Sequence, residues 1–403
     1  MLVRNLVKYT FGIFLGVLLI FAINTVSYAH TPQDLYDQAW KLVNANYIDK
    51  SMNNQNWQQW RHKYDAELKT DKDAYVAIDK MLESLNDPYT RFLPPGEFHE
   101  ENTSIKGNLK GIGVQITEEN NRLLISALYD GTPASKSGLK PHDCIVEIDG
   151  KSTAGMSIDD AANSIRGQEG TYVNIVVNRF GEKKVFNIQR EDIDIKSIST
   201  ITPEIIDNRI GYIKISSFMN RSAASEFFNT MKQLGNKSAY IIDVRSNPGG
   251  LVYNALYISN LFLNGKSMLT TVNRTGYNET IQATKKYVNS KPIVILVNED
   301  SASASEIFCG AMKDNYRAVV VGEKTFGKGL VQEIYKLPGG SGINITIQKY
   351  LTPSGADINK KGITPDYVVK MTDEDIKNGK DPQFEKAQEL LVSKLNNNVI
   401  ASK

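Results

Sequence analysis

This sequence of 403 residues has little cysteine, no excess of either charge and, beyond its first residues, no long hydrophobic run. Its two cysteines, Cys144 and Cys309, lie far apart in apolar stretches, which argues against a disulfide framework and predicts two buried thiols. Lysine and arginine number 47 against 45 acidic residues, so a net charge of +2 gives no electrostatic reason to expect nucleic acid as a partner. A hydrophobic content of 41% indicates a folded, soluble chain rather than a multispanning membrane protein.

The one long hydrophobic run lies at the N-terminal end. Two basic residues precede an apolar stretch over residues 9–26, and Ser27 and Ala29 provide small side chains at the two positions that determine cleavage. This order is typical of a secretory signal peptide, so residues 1–29 are predicted to direct export. The alternative is an uncleaved anchor, because the run is long enough to span a bilayer, and it would associate the protein with a membrane.

Length and hydrophobic pattern divide the remainder into four regions. Apolar residues at helical spacing predict a small N-terminal helical domain over residues 30–95. Short strands between glycine-containing turns predict a compact, mostly β module over residues 96–184. Continuous apolar strands alternating with helices predict an α/β core over residues 185–371, with its sheet covered on both faces. The charged stretch 372–403 is predicted to form a solvated helix.

Three loop segments of the α/β region contain the candidate functional residues. They are DVRSNPGG (243–250), NEDSASASEI (298–307) and GEKTFGKGLVQ (322–332), and each follows an apolar strand. Loops at the carboxyl ends of strands converge on one edge of an open α/β sheet. The three segments are therefore expected to meet in space and build a site.

Ser303 lies where a run of small residues gives way to a helical pattern, so it is predicted at a helix start. The simplest explanation is an N-cap, which serine fills for structural reasons. The same position suits a nucleophile, because backbone N–H groups at a helix N-terminus stabilise an oxyanion, and Ala304 would supply one donor. Gly249 and Gly250 permit the close backbone approach that a second donor requires, although an ordinary tight turn is equally compatible.

Lys328 ends the stretch GEKTFGK, which matches the first seven positions of a phosphate-binding loop. The eighth position is Gly329, where serine or threonine must ligate magnesium, and the next residues alternate like a strand, so a nucleotide hydrolase is not favoured. A solvated lysine is the ordinary alternative for any lysine. Here the apolar neighbours are expected to bury Lys328, and burial lowers a lysine pKa enough to make the amine a usable base.

A serine protease with a histidine base needs a histidine near its nucleophile. The four histidines, His30, His62, His99 and His142, all precede the α/β region, and none lies in one of its candidate loops. A Ser/His/Asp triad stays open, because residues distant in sequence can meet in a fold. The pairing of serine with lysine is favoured.

The motifs SASASE, GKG and DxRxNPGG, with NDPYTRFL ahead of the β module, resemble the C-terminal processing peptidases, also called tail-specific proteases. The resemblance covers nearly the whole chain after the N-terminal segment and implies a helical region, a PDZ domain and an α/β protease core. It implies a serine endopeptidase with Ser303 as nucleophile, Lys328 as general base and Gln332 as the residue that orients the lysine. The backbone N–H groups of Ala304 and Gly250 would form the oxyanion hole.

The same resemblance implies roles for three further residues of the SASASE segment. Glu306 matches an acidic position near the site, with an auxiliary role, and on a helix it would share a face with Ser303. Ser301 and Ser305 are expected to be structural. No cofactor and no metal are predicted.

The β module contains a candidate for tail recognition. Gly111, Ile112, Gly113 and Val114 resemble the carboxylate-binding loop of PDZ domains, where backbone N–H groups hold a terminal carboxylate while the peptide adds a strand to a sheet edge. The stretch GTPASKSGLKPHDCIVEIDG follows the PDZ pattern, with His142 where glycine is usual. The expected partners are protein substrates with free C-termini.

The family resemblance also suggests where the protein acts. Members in photosynthetic organisms trim a photosystem II reaction-centre protein in the thylakoid lumen, and bacterial members cut periplasmic or envelope proteins. The stretches LYDQAWKLVNANYID and NQNWQQWR resemble the photosynthetic branch, which predicts an exported protein of the periplasm or the thylakoid lumen. Two other functions stay open: a PDZ scaffold without activity, and an acyl-group enzyme on the same architecture.

Overall fold

The computed structural model describes residues 30–106, 108–119, 121–129, 131–194, 197–200, 207–284 and 289–401 of the 403-residue chain. The predicted signal peptide or anchor, residues 1–29, lies outside the described residues. Across the parts of the chain that are described, none of the helices combines the length and the apolar character that a bilayer crossing requires.

The N-terminal region folds as helices that pack on a sheet of the α/β core. Its elements are α1 (Pro32–Asn46), a 3-10 turn (Trp57–Trp60), α2 (Asp71–Glu83), β1 (Arg91–Leu93) and α3 (Pro95–Ile105). Thr31 and Thr70 start α1 and α2, each in a capping box with the aspartate three residues on. The buried faces of α1 and α2 share one hydrophobic cluster with Ile343 and Ile345 of the α/β core. This region and the core are therefore joined through common packing.

The PDZ domain is a mostly antiparallel module with its own hydrophobic cluster. Its elements are β2 (Asn108–Gly111), β3 (Val114–Glu119), β4 (Arg122–Leu128), α4 (Pro133–Ser137), β5 (Cys144–Ile148), β6 (Lys151–Ser152), α5 (Ile158–Ile165), β7 (Tyr172–Arg179), β8 (Glu182–Gln189) and β9 (Glu191–Asp194). The main sheet has the order β3-β4-β5-β7-β8, so β3 lies at its edge, next to α5. The chain enters and leaves the module through the antiparallel pair β2–β9.

The α/β core is built on a sheet of order β10-β11-β12-β15-β16-β19, which is parallel except for β10. The core elements are β10 (Ile198–Ser199), β11 (Ile210–Ile215), α6 (Ala223–Gln233), β12 (Ala239–Asp243), α7 (Val252–Asn260), β13 (Ser267–Asn273), β14 (Asn278–Gln282), β15 (Ile293–Val297), α8 (Ala304–Asp314), β16 (Val319–Gly322), β17 (Leu330–Lys336), β18 (Gly342–Leu351), β19 (Tyr367–Val368), α9 (Asp373–Lys377) and α10 (Pro382–Ala401). Every residue of β12 and β15 is buried, because α6, α7 and α8 cover one face and α10 the other. The predicted α/β core with a covered sheet is confirmed.

A second, antiparallel sheet accompanies the first. It has the order β1-β18-β13-β14, and β17 pairs with β18 along the other edge of that strand. The pairing of β1 with β18 brings the segment before the PDZ domain against the α/β core. As a result, residues from three separate parts of the sequence lie near the strand that follows Lys328.

The prediction that residues 372–403 form a solvated helix was wrong for α10. Phe384, Ala387 and Leu391 are buried against Ile241 and Leu296 of the core sheet. Their spacing of three and four residues is that of one helix face, and the many charged residues between them obscured this pattern in the sequence. The helix is therefore a structural layer of the α/β core.

Both cysteines are free thiols. Cys309 is buried within α8, as predicted, and burial raises the pKa of its thiol. Cys144 is only half-buried on β5, so the prediction of a buried thiol was wrong there. Alternate residues of a sheet face opposite sides, and its neighbour Ile145 occupies the core side of β5.

Candidate active site

The three loop segments that follow β12, β15 and β16 meet at one edge of the core sheet. The Ser301 hydroxyl donates to the Val244 carbonyl at 2.8 Å, which joins the first two loops. The Phe326 N–H donates to the Ser301 carbonyl at 3.1 Å, which joins the third. The prediction that these segments converge is therefore confirmed, and β12, β15 and β16 position them because they are adjacent parallel strands.

Ser303 immediately precedes α8 in an unusual backbone conformation. Its φ of 55° and ψ of −114° lie outside the extended region that an ordinary N-cap residue adopts. A residue other than glycine at positive φ is strained, and such strain concentrates at functional sites. The side chain is half-buried, while Ala302 and Ala304 on either side are buried. A capping role alone does not account for this geometry.

The neighbouring serines have structural roles, as expected. Ser301 bonds to the Val244 carbonyl, and the Ser305 hydroxyl donates to the Asn247 carbonyl at 2.9 Å. Both side chains are fully buried. They fix the turn that contains Ser303 against the DVRSNPGG loop.

The glycine pair of that loop lies against the turn that contains Ser303. A Cβ on Gly249 would lie 2.6 Å from the Ala302 carbonyl oxygen and 2.8 Å from the Ser303 Cβ, so only glycine permits this approach. Gly249 also has a φ of 98°, which favours glycine. Its N–H already donates to the Asn247 side chain at 2.9 Å, which leaves the N–H of Gly250 as the better candidate for a bound oxyanion.

Glu306 links the two predicted catalytic residues. One carboxylate oxygen, Oε2, accepts the N–H of Ser303 at 2.9 Å and the N–H of Lys328 at 2.8 Å. The backbone nitrogens of Ser303 and Lys328 therefore lie close together, on either side of one oxygen atom. The other oxygen accepts the Thr325 hydroxyl at 2.6 Å and the Gly327 N–H at 2.7 Å.

Four donors thus fill the acceptor positions of a fully buried carboxylate. Burial raises the pKa of Glu306, and the four donated hydrogen bonds oppose that rise. The sequence suggested an auxiliary role for Glu306. Its contacts make it the connection between the turn that contains Ser303 and the loop that contains Lys328.

Lys328 is half-buried, and its amine lies 4.5 Å from the centre of the Tyr89 ring. Burial lowers the pKa of Lys328, whereas the charges of Asp87 and Glu101 oppose that shift. Within the described ranges no hydrogen bond joins the Ser303 hydroxyl to this amine. Catalytic hydrogen bonds are often long before substrate binds, so this arrangement is compatible with a serine and lysine pair.

Tyr350 is a second connection that the sequence did not reveal. Its side chain is 1% exposed, and its hydroxyl lies 2.8 Å from the Lys328 carbonyl and 3.2 Å from the Ser303 carbonyl. The hydroxyl donates to one of them at a time. Burial raises the pKa of Tyr350, so this phenol stays protonated and keeps its donor.

Gln332, predicted to orient the lysine, lies on β17. Its amide nitrogen donates to the Thr346 hydroxyl at 3.2 Å, so its amide oxygen is the atom suited to accept from the Lys328 amine. The Thr346 N–H in turn donates to the Thr90 hydroxyl at 3.0 Å. The side chain of Gln332 is therefore held through β18 by the segment NDPYTRFL.

A buried ion pair stabilises the DVRSNPGG loop that follows β12. Asp243 ends β12, and both of its oxygens accept from the Arg245 guanidinium, which also contacts Asp381 and Gln383 of the C-terminal region. The Tyr212 hydroxyl donates to Asp243 at 2.8 Å. Burial alone would raise the pKa of Asp243, but the Arg245 guanidinium holds it below its usual value.

Replacing Arg245 with methionine is expected to destabilise the protein by about 3 to 5 kcal/mol, because it leaves the buried Asp243 carboxylate without its partner. The chain offers a matched control: Arg209 pairs with Asp207 at the same spacing and the same 2.6 Å distance, but in a more exposed position. Arg209→Met is expected to change stability little. Chemical denaturation of both variants measures the difference, and equal losses would contradict the assignment.

The candidate tail-binding loop lies at the start of β3. Gly113 has a φ of 83°, and a Cβ there would lie 2.5 Å from Thr132, so this position requires glycine. Ile112 is buried in the PDZ core, and Gly111 and Val114 border it. At the other turn, His142 adopts a φ of 68° and donates its N–H to Ile125, so the turn forms although glycine is absent.

The edge strand β3 also contacts the core beside the candidate site. The Gln115 amide donates to the Ser216 carbonyl at 3.3 Å, and the Thr117 hydroxyl donates to Asp300 at 3.4 Å. Asp300 lies just ahead of the turn that contains Ser303, and burial raises its pKa, with a further contribution from Glu299. The edge strand β3 is thus attached to one loop of the candidate site.

Three protein-family models match this chain. Peptidase family S41 matches residues 209–369, the PDZ domain model matches residues 124–179, and the Tricorn protease C1 domain model matches residues 28–76. The S41 match includes all three loops of the candidate site. The PDZ match lies inside the β module and covers its strands from β4 to β7.

Several known proteins are similar over most of the chain. The carboxyl-terminal-processing protease of Synechocystis sp. is 39% identical, over 96% of this chain and 93% of that protein. Carboxyl-terminal-processing peptidase 2, chloroplastic, of Arabidopsis thaliana is 33% identical, over 83% of this chain and 68% of that protein. The solved structure of a photosystem II D1 C-terminal processing protease superposes with a TM-score of 0.69 at 30% identity, covering 85% of this chain and 94% of that one.

Proposed function

The chain belongs to the carboxyl-terminal-processing proteases of peptidase family S41, and from that membership we propose that Ser303 is its nucleophile and Lys328 its general base. The observation that carries this proposal is the shared acceptor: one oxygen of Glu306 binds the N–H groups of both residues. The strained backbone of Ser303 and the lowered pKa of Lys328 support the same roles.

The chemical steps follow from these roles. The neutral amine of Lys328 accepts the hydroxyl proton as the Ser303 oxygen bonds to the scissile carbonyl carbon. The carbonyl oxygen gains a negative charge, which the N–H groups of Ala304 and Gly250 stabilise. The lysine then gives its proton to the departing amine, and an acyl-enzyme remains on Ser303. Water repeats the sequence and releases the shortened protein.

Gln332 and Glu306 support the base in different ways. An amide at position 332 accepts from the lysine amine without adding charge, so it orients Lys328 without favouring the protonated form. Glu306 acts on the backbone: it holds the turn before α8 and the loop before β17 in one arrangement. A carboxylate that is already occupied by four donors is not available as a second base.

The PDZ domain supplies selection for protein tails in this proposal. Backbone N–H groups within residues 111–114 hold the terminal carboxylate, and the tail pairs with the free edge of β3. The contact of β3 with Ser216 and Asp300 supports this role, because a tail bound on β3 lies close to the catalytic loops.

Amidating the C-terminus of a peptide substrate is expected to raise its KM sharply or to prevent processing, because an amide lacks the negative charge that the N–H groups of residues 111–114 hold. Steady-state kinetics on paired free and amidated peptides of one sequence measure this effect. The control is a pair of peptides that differ only in amidation of an internal glutamate. Equal cleavage of free and amidated tails would remove the PDZ domain from substrate selection.

The similar proteins also suggest a substrate and a place. The relatives of Synechocystis and Arabidopsis, and the structure of a photosystem II D1 processing protease, favour a photosynthetic setting. We assign this protein to the periplasm or the thylakoid lumen, with the tail of a photosystem II reaction-centre protein as its substrate. Mass spectrometry of the protein tails that accumulate in a deletion strain tests this assignment. Unchanged D1 termini in that strain would direct the search to other exported proteins.

A further inference from the structure

The amine of Lys328 lies over an aromatic ring that comes from the opposite end of the chain. The ring belongs to Tyr89, at 4.5 Å from the amine, in the segment between α2 and β1. This segment precedes the PDZ domain, whereas the loop of Lys328 follows it. The N-terminal helical region therefore reaches the candidate site. This region lies outside residues 209–369, the range that the S41 family model matches.

The segment that carries Tyr89 is tightly fixed. The Tyr89 N–H donates to one oxygen of Asp87 at 3.0 Å, and the Thr90 hydroxyl donates to the other at 2.7 Å. The Thr346 N–H donates to the Thr90 hydroxyl, and Arg91 pairs with Asn344 across the two strands. These bonds attach the backbone on both sides of the ring, so the ring is held against the lysine by the fold itself.

Tyr89 does not belong to the hydrophobic clusters that hold the fold together within the described ranges. Its side chain is half-buried and its face is turned to a single amine. A ring in this position excludes water from one side of the amine and restricts its motion. Both effects matter to a lysine that must lose its proton near neutral pH.

We propose that Tyr89 is a positioning residue of the protease: its ring covers the Lys328 amine and holds it beside the nucleophile turn. The inference rests on the proposed role of Lys328 as general base. It extends the site to the N-terminal region, and it assigns a reason for the segment NDPYTRFL to contact the core.

Two opposing effects of the ring decide the expected result. The ring face attracts an ammonium, which favours the charged form by less than about one pKa unit at a partly exposed site. Exclusion of water disfavours the charged form, and it is the largest influence on the pKa of Lys328. Because the ring supplies part of that exclusion, its removal is expected to raise the pKa of the amine.

The other charged groups around the amine remain in place when the ring is removed. Asp87 and Glu101 favour the ammonium from the segment before β1 and from α3, and Glu306 does so from α8. Arg91 on β1 disfavours it. Because acidic neighbours outnumber basic ones, the pKa of the amine is expected to rise when removal of the ring admits water.

The test compares the pH dependence of kcat and KM for the full protein and for Tyr89→Ala and Tyr89→Phe, on a quenched peptide with a free C-terminus. Tyr89→Ala is expected to move the ionisation that governs kcat upward by at least about one pH unit, with about a tenfold loss near neutral pH and recovery at high pH. KM is expected to stay unchanged. Tyr89→Phe keeps the ring and is expected to match the wild type.

Tyr89→Leu fills more of the space of the ring than Tyr89→Ala does, so it is expected to shift the ionisation in the same direction by a smaller amount. It provides the test if Tyr89→Ala does not fold. The matched control is Tyr316→Ala, which removes a 97% exposed ring beyond the other end of α8 and is expected to change nothing. Thermal denaturation of each variant identifies any that are unfolded.

A loss of activity that is equal at every pH, or the same loss in Tyr89→Phe and Tyr89→Ala, would overturn this inference and leave Tyr89 with a structural role. Failure of the proposed function has a different signature: Lys328→Arg would then remain active. If Lys328→Arg is inactive and the pH profile of Tyr89→Ala is not shifted, only the role of Tyr89 is contradicted, and the proposed role of Lys328 stands.

Discussion

Lys328→Arg is expected to abolish peptide cleavage as completely as Ser303→Ala, by about 10⁴-fold or more, because loss of either member of a nucleophile and base pair removes the chemistry of both. A guanidinium keeps its proton at every accessible pH and cannot accept the serine proton. Lys328→Ala should be equally inactive, while Lys328→His should retain a trace. The measurement is the turnover of a quenched peptide by each purified variant.

The same experiment in the wild type should show activity rising with pH along an ionisation below 10.4. An unperturbed lysine titrates near 10.4, so only about one molecule in 10³ is neutral near pH 7, which costs roughly 4 to 5 kcal/mol. Burial lowers the pKa of Lys328, so the neutral base becomes abundant at a lower pH. The rate therefore increases as pH rises through that lowered pKa.

The control for this prediction is Lys336→Arg, the same exchange on an exposed lysine at the far end of β17. It is expected to leave turnover and the pH profile unchanged. Binding of a labelled free tail should persist in Ser303→Ala, which separates chemistry from recognition. Substantial turnover by Lys328→Arg would reject the serine and lysine pair and return attention to the histidines.

Glu306→Gln should lower kcat by about 10² to 10³-fold with little change in KM. The glutamine has the shape of glutamate, but its NH₂ group must face two of the four groups that now donate to the carboxylate. Each unpaired buried donor costs about 1 to 3 kcal/mol, so the two loops are expected to separate. A displacement of the base by an ångström is enough to account for the loss.

Glu333→Gln provides the matched exchange on an exposed glutamate of β17 and is expected to leave kcat unchanged. Thermal denaturation of Glu306→Gln distinguishes a displaced site from an unfolded chain, because a folded variant with low kcat is the expected result. A variant that turns over like the wild type would show that the four hydrogen bonds do not set the geometry of the site.

Hydrophobic pattern alone predicted the layered core and the edge at which the site lies. Fully apolar strands such as β12 and β15 have no other plausible location than a covered sheet, and their following loops must then converge. The same reasoning correctly located Ser303 at the start of α8. The structural roles of Ser301 and Ser305 were expected from the family resemblance instead, and their buried contacts agree with it.

The partners of the site residues were beyond such reasoning. Tyr350 and Tyr89 contact the lysine loop from β18 and from the segment before β1, and nothing in their local sequence indicates that contact. Local periodicity identifies which face of an element is buried, whereas these contacts depend on how two sheets and a helical region pack together. The carboxylate of Glu306 is similar: its position on α8 was predictable, but its four donors were not.

The antiparallel pair β2–β9 makes the tail-binding module a removable insert. Because Asn108 pairs with Asp194 and Gly111 with Glu191, the chain returns to within about 5 Å of the point at which it left the protease body. A gene from which the intervening residues are deleted would need only a two-residue turn to close the gap. Genetic exchange of one recognition module for another at this junction would therefore leave the backbone of the catalytic body intact, and a new module would have to replace the contacts that Gln115 and Thr117 make with Ser216 and Asp300. In this way the specificity of such a protease is able to change in evolution while its chemistry is kept.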